Sequence, residues 1–236
     1  MKPYLSIVIP AYNEEKRLGK TLAKVTEFAS AQSYSTEIIV VDDGSSDGTL
    51  SVAAEYGDSV RALPLGRNCG KGAAVRAGML AAVGEVRLFS DADLSTPIFE
   101  ARKMLECIAA GSDICIGSRA LQSEMIKVRQ PFYREFMGKT FNKIVQMLVI
   151  KGIKDTQCGF KMMTARAAEE VFSRAKIDGF GFDVEALFLA QKLGFKVKEL
   201  PVEWYNDDAS KVNPIVDSAK MFGEILRVRS LHRDMK

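Results

Sequence analysis

The chain has a single histidine, His232, close to its C-terminal end. A mechanism that needs a core histidine as base or as zinc ligand is therefore all but excluded, and carboxylates must carry the chemistry. Four cysteines, at 69, 107, 115 and 158, form no C-x-x-C pair and no Cys/His cluster. Buried reduced thiols are the expectation, which points to the cytosol. No apolar run approaches the roughly 20 residues that a spanning helix needs. Met1-Lys2-Pro3-Tyr4 leads straight into a strand pattern and leaves no room for a signal peptide. The expectation is a chain in solution or lying on a membrane surface. Long Lys/Arg runs and basic-aromatic repeats are also missing, which argues against nucleic acid as a partner.

What is present is ordinary globular material: 236 residues, 47% hydrophobic and 27% charged, with a net charge of +3. A core of that size needs no staples. Leu5 to Ile9, Glu37 to Val41, Val60 to Leu65, Val86 to Phe89 and Ile114 to Ile116 read as buried strands. Helical spacing of Leu18, Leu22 and Val25 follows the first, and an Ala-rich helix from Lys71 to Val83 follows the third. Such alternation means βαβ units and a mostly parallel sheet, hence an α/β fold in one domain over 1–236. In the second half, residues 131–151 read as a long helix. Phe195 to Trp204 reads as a strand-like run, and a final helix starts near Pro214.

Ligands collect at the carboxyl ends of strands in such sheets. The polar clusters fall there: Pro10 to Glu14, Asp42 to Ser46, Asp91 to Ser95 and Gly117 to Arg119. In Asp91-Ala92-Asp93, residues two apart in an extended segment point the same way, so both carboxylates can face one Mg²⁺ or Mn²⁺ shared with substrate phosphates. The competing reading is a solvated turn. Asp42 can accept a hydrogen bond from a base or ribose, while Asp43 and Asp47 suit turn and capping chemistry. Tyr12 and Glu14 offer stacking and hydrogen bonding for a base, with Asn13 as a helix cap in the plainer reading. Asn68-Cys69-Gly70-Lys71-Gly72 opens the helix that carries Arg76, and glycines there can let backbone N–H groups approach an anion. This stretch matches neither the P-loop nor the dinucleotide fingerprint.

Charge is uneven. Arg119 to Lys161 holds nine Lys/Arg against three Asp/Glu, and Lys211 to the end six against three. Either these are solvated faces, or, with the Phe, Met, Ile and Leu among them, they suit an anionic membrane surface.

Taken together, Ile7 to Glu14, Val41 to Thr49 and Asp91-Ala92-Asp93 resemble glycosyltransferase family 2 with the GT-A fold, in order and spacing. Gly117-Ser118-Arg119, Pro131 to Arg134, Phe141-Asn142, Asp155 to Phe160 and Ser210-Lys211-Val212 are similar to the branch that loads polyprenyl (dolichyl) phosphates with hexose. Asn68 to Met79 looks most like the glucose synthases of that branch.

The resemblance implies inverting transfer of a hexose, glucose favoured, from a UDP-sugar to a polyprenyl phosphate, with Mg²⁺ or Mn²⁺ as cofactor. GDP-mannose as donor, a saccharide acceptor, a nucleotidyltransferase and a non-catalytic nucleotide-sugar-binding module remain as alternatives. Residues to about 120 would form the nucleotide-sugar half, and 121–236 the acceptor and membrane-facing half. Pro10, Tyr12, Glu14 and Asp42 would hold base and ribose. Asp91, Ala92 and Asp93 would meet diphosphate and metal, and Lys211 the donor's phosphate. Arg119 and Arg134 would bind the acceptor phosphate. Asp155 stands where the branch's base is placed. Its own setting suggests orienting the acceptor or pairing with an arginine, against a helix-terminus role. The implied place of work is the cytoplasmic face of a membrane, reached directly or through a membrane-protein partner. The chain departs from the branch at Ser95, Gly138 and Tyr205 to Asp208, where Gln, Ser and an Arg are expected.

Overall fold

In the computed structural model, residues 2–128, 138, 140, 142–146, 148–206 and 216–235 are described. Nine strands are assigned among them: β1 Leu5–Ala11, β2 Thr36–Asp42, β3 Arg61–Pro64, β4 Val86–Ser90, β5 Ile114–Ser118, β6 Ile126–Val128, β7 Phe160–Thr164, β8 Val197–Pro201 and β9 Trp204–Tyr205. The helices are α1 Glu15–Ser30, α2 Thr49–Ala54, α3 Lys71–Ala81, α4 Ala101–Ala109, α5 Ala165–Phe172, α6 Phe182–Lys192 and α7 Val216–Leu231, with further helical residues at 142–146.

Seven strands make one sheet in the order β3-β2-β1-β4-β7-β5-β8, and β6 with β9 a small second one. Every pairing in the large sheet is parallel except those of β7, which runs against both β4 and β5. The sheet is thus mostly parallel, as the β-branched runs imply. The ladder of β1 with β4 ends at Val8↔Phe89, so Pro10, which has no N–H to give, lies beyond it.

Alternate residues on the strands feed two cores, one on each face. Ile7, Ile9, Ile38, Val40 and Leu88 pack with Leu18, Leu22 and Val25 of α1 and with Met104 of α4. Val8, Ile39, Val41 and Phe89 pack with α3, α5 and α6 and with Ile225 and Val228 of α7. A Cβ on Gly78 would stand 2.3 Å from Val8 Cγ1, so α3 lies directly on the sheet.

Several expectations need correcting. β7 was hidden in the sequence because Lys161 breaks its apolar run; the lysine is fully buried and paired with Asp183. The Phe195 to Trp204 run is not one strand: β8 joins the large sheet and β9 the small one. The long helix read over 131–151 has already given way to a turn at Val149, where the chain bends so that Val149, Ile150 and Ile153 enter the core. The third strand is shorter than read, as an edge strand with one pairing partner, and α3 stops at Ala81.

Candidate active site

The carboxyl ends of β1, β2, β4 and β5 lie along one edge, and the loops beyond them are tied together. Asn13 Oδ1 accepts the Ser46 N–H at 2.8 Å, and Asn13 N–H donates to Ser45 Oγ at 2.8 Å. Asn13 therefore clasps the loop after β2 and does not cap α1, whose N-cap is Glu14 without a side-chain cap bond. Its left-handed φ of 55° aims the side chain sideways, and Asn tolerates that conformation well. Asp42 is buried and takes the Ser45 N–H on both oxygens at 3.3 Å. Glu14 is buried and forms a two-pronged pair with Arg17, one contact being Nη2 to Oε1 at 2.7 Å. Tyr12 is exposed, while Pro10 is buried. Asp47 accepts the Thr49 N–H at 3.0 Å from just outside α2, whose N-cap is Gly48.

Asp43 fixes the next layer. Its carboxylate accepts the N–H groups of Cys69 at 2.7 Å and Gly70 at 2.9 Å, and burial pushes its pKa up. This loop delivers α3, but not as an anion-binding terminus. The N–H groups of Gly72 and Ala73 both donate to the Asp178 carbonyl, at 2.7 and 3.2 Å. Cβ atoms on Gly70 and Gly72 would meet the carbonyls of Asp178 and Ile177 at 2.4 and 2.5 Å. The glycines make room for the 177–179 chain, so the expectation that they bare N–H groups to a phosphate does not hold for Gly72 and Ala73. What the loop presents is the side chain between them. Lys71 Nζ lies 2.7 Å from Asp91 Oδ1.

Asp91 follows β4, its N–H on the Gly159 carbonyl at 3.0 Å, and its carboxylate lies against the Gly159 backbone. Asp93 takes the Ser95 N–H on Oδ1 at 2.8 Å. Burial, and then the neighbouring charge of Asp91, raise the Asp93 pKa. Ala92 is buried between them, and its carbonyl accepts the Thr21 hydroxyl at 2.5 Å. Lys71 itself faces Asp91, Asp183 and Asp93. Burial alone would lower its pKa, but those carboxylates more than offset it and the net shift is upward. Asp183, in the first turn of α6, holds the buried ammonium of Lys161, which also donates to the Cys158 carbonyl at 2.7 Å.

Beyond β5, Arg119 grips Asp155 with three donors: its backbone N–H at 3.0 Å, Nε at 2.7 Å and Nη2 at 2.8 Å. The guanidinium lies 5.6 Å from the Trp204 ring centroid. Burial opposes both charges, yet the pairing raises the Arg119 pKa and lowers that of Asp155. The Asp155 N–H is held in turn by Glu199 at 2.8 Å, and Thr156 donates to Asn142 at 2.8 Å. Asp155 is thus engaged by an arginine from the outset. Arg134 and Lys211 lie outside the described residues.

Lys71, beside Asp91, and the buried Lys161–Asp183 pair behind it are the charges that residue-by-residue reading of the sequence passed over. For Lys71 the signal was there, since only one side chain stands between two glycines that the fold pins down. Size is a poor guide here. A hollow of about 380 Å³ lies at the far edge of the sheet, around Glu37 and Arg61, while a cleft of about 200 Å³ lined by Arg17, Lys20 and Lys24 opens beside Asp93.

A mostly parallel sheet whose carboxyl edge carries an Asp-x-Asp pair ringed by lysine and arginine is the layout of a GT-A glycosyltransferase. The chain belongs to glycosyl transferase family 2, whose pattern matches residues 6–172. It is 38% identical to the dolichyl-phosphate beta-glucosyltransferase of Dictyostelium discoideum, over 96% of this chain and 74% of that one. The enzyme of the same name from Drosophila melanogaster is 40% identical, over 89% of this chain and 69% of the other. Among solved structures, glucosyl-3-phosphoglycerate synthase from Mycobacterium tuberculosis, with Mn²⁺, uridine diphosphate and glucosyl-3-phosphoglycerate, superposes with a TM-score of 0.69 at 17% identity, covering 97% of this chain and 80% of that one. TarS 1–349 from S. aureus gives 0.63 at 20% identity, over 100% and 66%. The structural likenesses carry the fold alone. No described helix is long and apolar enough to cross a membrane.

Proposed function

We propose that this glycosyltransferase moves glucose from UDP-glucose to a dolichyl or other polyprenyl phosphate, with inversion, aided by Mg²⁺ or Mn²⁺. The observation that carries the reading is the Asp91/Asp93 pair set beside Lys71 and Arg119 at the sheet's carboxyl edge. The acceptor and the sugar follow the relatives named dolichyl-phosphate beta-glucosyltransferase, which match nearly the whole chain.

The donor set suits a hard divalent cation. Two carboxylates face the site, and among the described residues no group of three acidic, Cys or His side chains is gathered for a metal. Mg²⁺ and Mn²⁺ accept such sparse protein ligation, because substrate phosphates and waters complete the shell. A bound cation would neutralise charge on the departing diphosphate. Asp93 is the principal ligand in this reading, with Asp91 shared between cation and Lys71.

Pro10, Tyr12, Glu14 and Asp42 form the wall for uracil and ribose. A phosphate monoester has a second pKa of about 6 and is already largely anionic at neutral pH. It needs placement and charge screening more than a general base. Arg119 suits that role, since its guanidinium is held in one pose by Asp155 and Trp204. A phosphate oxygen then attacks the anomeric carbon as the bond to UDP breaks, with UDP leaving on the opposite face. Asp155 orients Arg119 and removes no proton. Arg134 and Lys211 are assigned to acceptor and donor phosphate from sequence. The basic stretches, Arg119 to Lys161 and Lys211 onward, fit contact with an anionic bilayer on the cytoplasmic side.

The test is to incubate the purified chain with dolichyl phosphate in phosphatidylcholine vesicles, Mn²⁺, and UDP-glucose or GDP-mannose, and to follow nucleotide release and labelled lipid. Glucosyl lipid and UDP should form together. Asp93→Asn should abolish transfer with its melting temperature unchanged. Preference for GDP-mannose would overturn the donor. Substantial turnover in Asp93→Asn would overturn the metal role.

A further inference from the structure

Among the described residues, seven charged side chains crowd the carboxyl edge of β4 and β5. Asp91, Asp93, Asp155 and Asp183 face Lys71, Lys161 and Arg119, four negative charges against three positive, a net of −1. Arg119 is committed to Asp155 and Lys161 to Asp183. Arg17, itself paired with Glu14, also acts on Asp93, while Lys71 is the counter-ion in contact with Asp91. The placement of Lys71 is built in. Gly70, with φ of 101°, and Gly72 are pinned beneath the 177–179 chain, and Asp43 holds the loop before them. On the other side Asp91 is held over the Gly159 backbone. Two tightly packed loops thus bring an ammonium to 2.7 Å from a carboxylate that a cation would also seek.

We propose that Lys71 is a resident counter-ion competing with the divalent cation for Asp91, so that cation and nucleotide diphosphate bind this site together. The proposal rests on reading Asp91 and Asp93 as the cation's ligands. Adding two positive charges to a cluster of net −1 leaves it at +1, with a half-buried ammonium displaced from its partner, which is costly. A nucleotide diphosphate supplies the missing negative charge and gives the released ammonium a new partner. The cation alone therefore binds weakly, and the nucleotide strengthens it. Reciprocity demands that the cation strengthens the nucleotide by the same factor.

The experiment titrates Mn²⁺ into the full chain, followed by the electron paramagnetic resonance signal of free Mn²⁺, with and without UDP. In the unaltered protein UDP should tighten Mn²⁺ binding by about tenfold or more, within the usual range of coupling between sites. Lys71→Met removes the charge and keeps the length. It should bind Mn²⁺ alone several-fold more tightly than the unaltered protein, and UDP should then tighten that binding by a smaller factor, since its phosphates still ligate the cation but no longer have an ammonium to receive. Lys71→Arg, which keeps a cation, should retain weak binding of Mn²⁺ alone and a strong effect of UDP, and it serves as the check should the methionine variant fail to fold. If Lys71→Met binds Mn²⁺ alone no better than the unaltered protein while UDP still promotes binding in both, the counter-ion role is wrong and the metal site stands. If Mn²⁺ fails to bind the unaltered protein even with UDP, the metal reading falls and this proposal with it.

Discussion

Asp91 rests its carboxylate on the bare backbone of Gly159, so closely that a Cβ on the glycine would lie 1.9 Å from Asp91 Oδ2. The obstacle such a Cβ meets is the tip of a rotatable side chain, not backbone. Gly159→Ala should therefore fold, losing at most about 1 kcal/mol, or roughly 2–4 °C in melting temperature. Asp91 would swing away, however, and leave both Lys71 and the cation site. Transfer should fall by about tenfold or more, the order expected when a catalytic group is misplaced by an ångström. Measuring melting and turnover on the same preparation separates the two effects. Full activity in this variant would mean that the pose of Asp91 is unimportant.

Gly72 makes the opposite case. A Cβ there would meet the Ile177 carbonyl at 2.5 Å and the Phe182 Cβ at 2.7 Å, neither of which can rotate aside. Gly72→Ala should cost about 1–3 kcal/mol as overpacking does, lowering the midpoint of urea unfolding at constant slope. Gly223, on the exposed side of α7 with nothing near a Cβ, is the control. Gly223→Ala should stabilise by roughly 0.5–1 kcal/mol through helix propensity. A stabilised Gly72→Ala would contradict the close packing of the 177–179 chain on α3.

His232, the lone histidine, proves to be an anchor. It is buried, with Nε2 2.6 Å from Glu185 Oε1, and the same carboxylate accepts the Lys176 N–H at 2.9 Å and the Ile177 N–H at 2.8 Å. It ties the end of α7 to α6 and to the chain leading into 177–179. His232→Leu should lose about 1–3 kcal/mol, the cost of leaving buried polar groups unpaired. Turnover per folded molecule should stay unchanged, because no part of the Asp91/Asp93 cluster touches it. A fall in kcat at full folding would show that the anchor reaches the chemistry.

The strands that position the site were legible because parallel, fully buried strands are written as unbroken Val and Ile runs, and their ends as Asp and Gly clusters. Asp91 and Asp93 stood out for the same reason. β7 was not legible, since a buried lysine looks like a surface residue until its partner, Asp183, is found 22 positions later. Gly70 and Gly72 were visible but pointed the wrong way. A glycine marks a close approach without saying whether a ligand or another stretch of chain approaches. Asn13 misled likewise, because an Asx side chain before a helix caps only when its backbone is extended, and here φ is positive.

The Arg119–Asp155 pair yields a prediction with a definite sign in pH. Asp155 is buried, and its pKa lies below the usual carboxylate range because Arg119 outweighs the opposing effect of burial. A carboxyl whose pKa is depressed on folding adds stability that is fully present above its unfolded pKa, about 3.9, and is lost as pH falls through the folded value. Asp155→Asn keeps the shape and removes the charge, leaving Arg119 without its counter-ion. Because Arg119 retains some exposure, the loss should be nearer about 2 kcal/mol than the larger cost of breaking a wholly buried pair. The gap in unfolding free energy between the two proteins should be level from about pH 8 to pH 5 and close only below about pH 4, as Asp155 protonates in the parent. The rate at subsaturating acceptor should drop as well, through a higher KM for the polyprenyl phosphate, since Arg119 loses its fixed pose while the donor's contacts stay. A gap that already closes near pH 6, or a KM that does not move, would return Asp155 to the role of a general base.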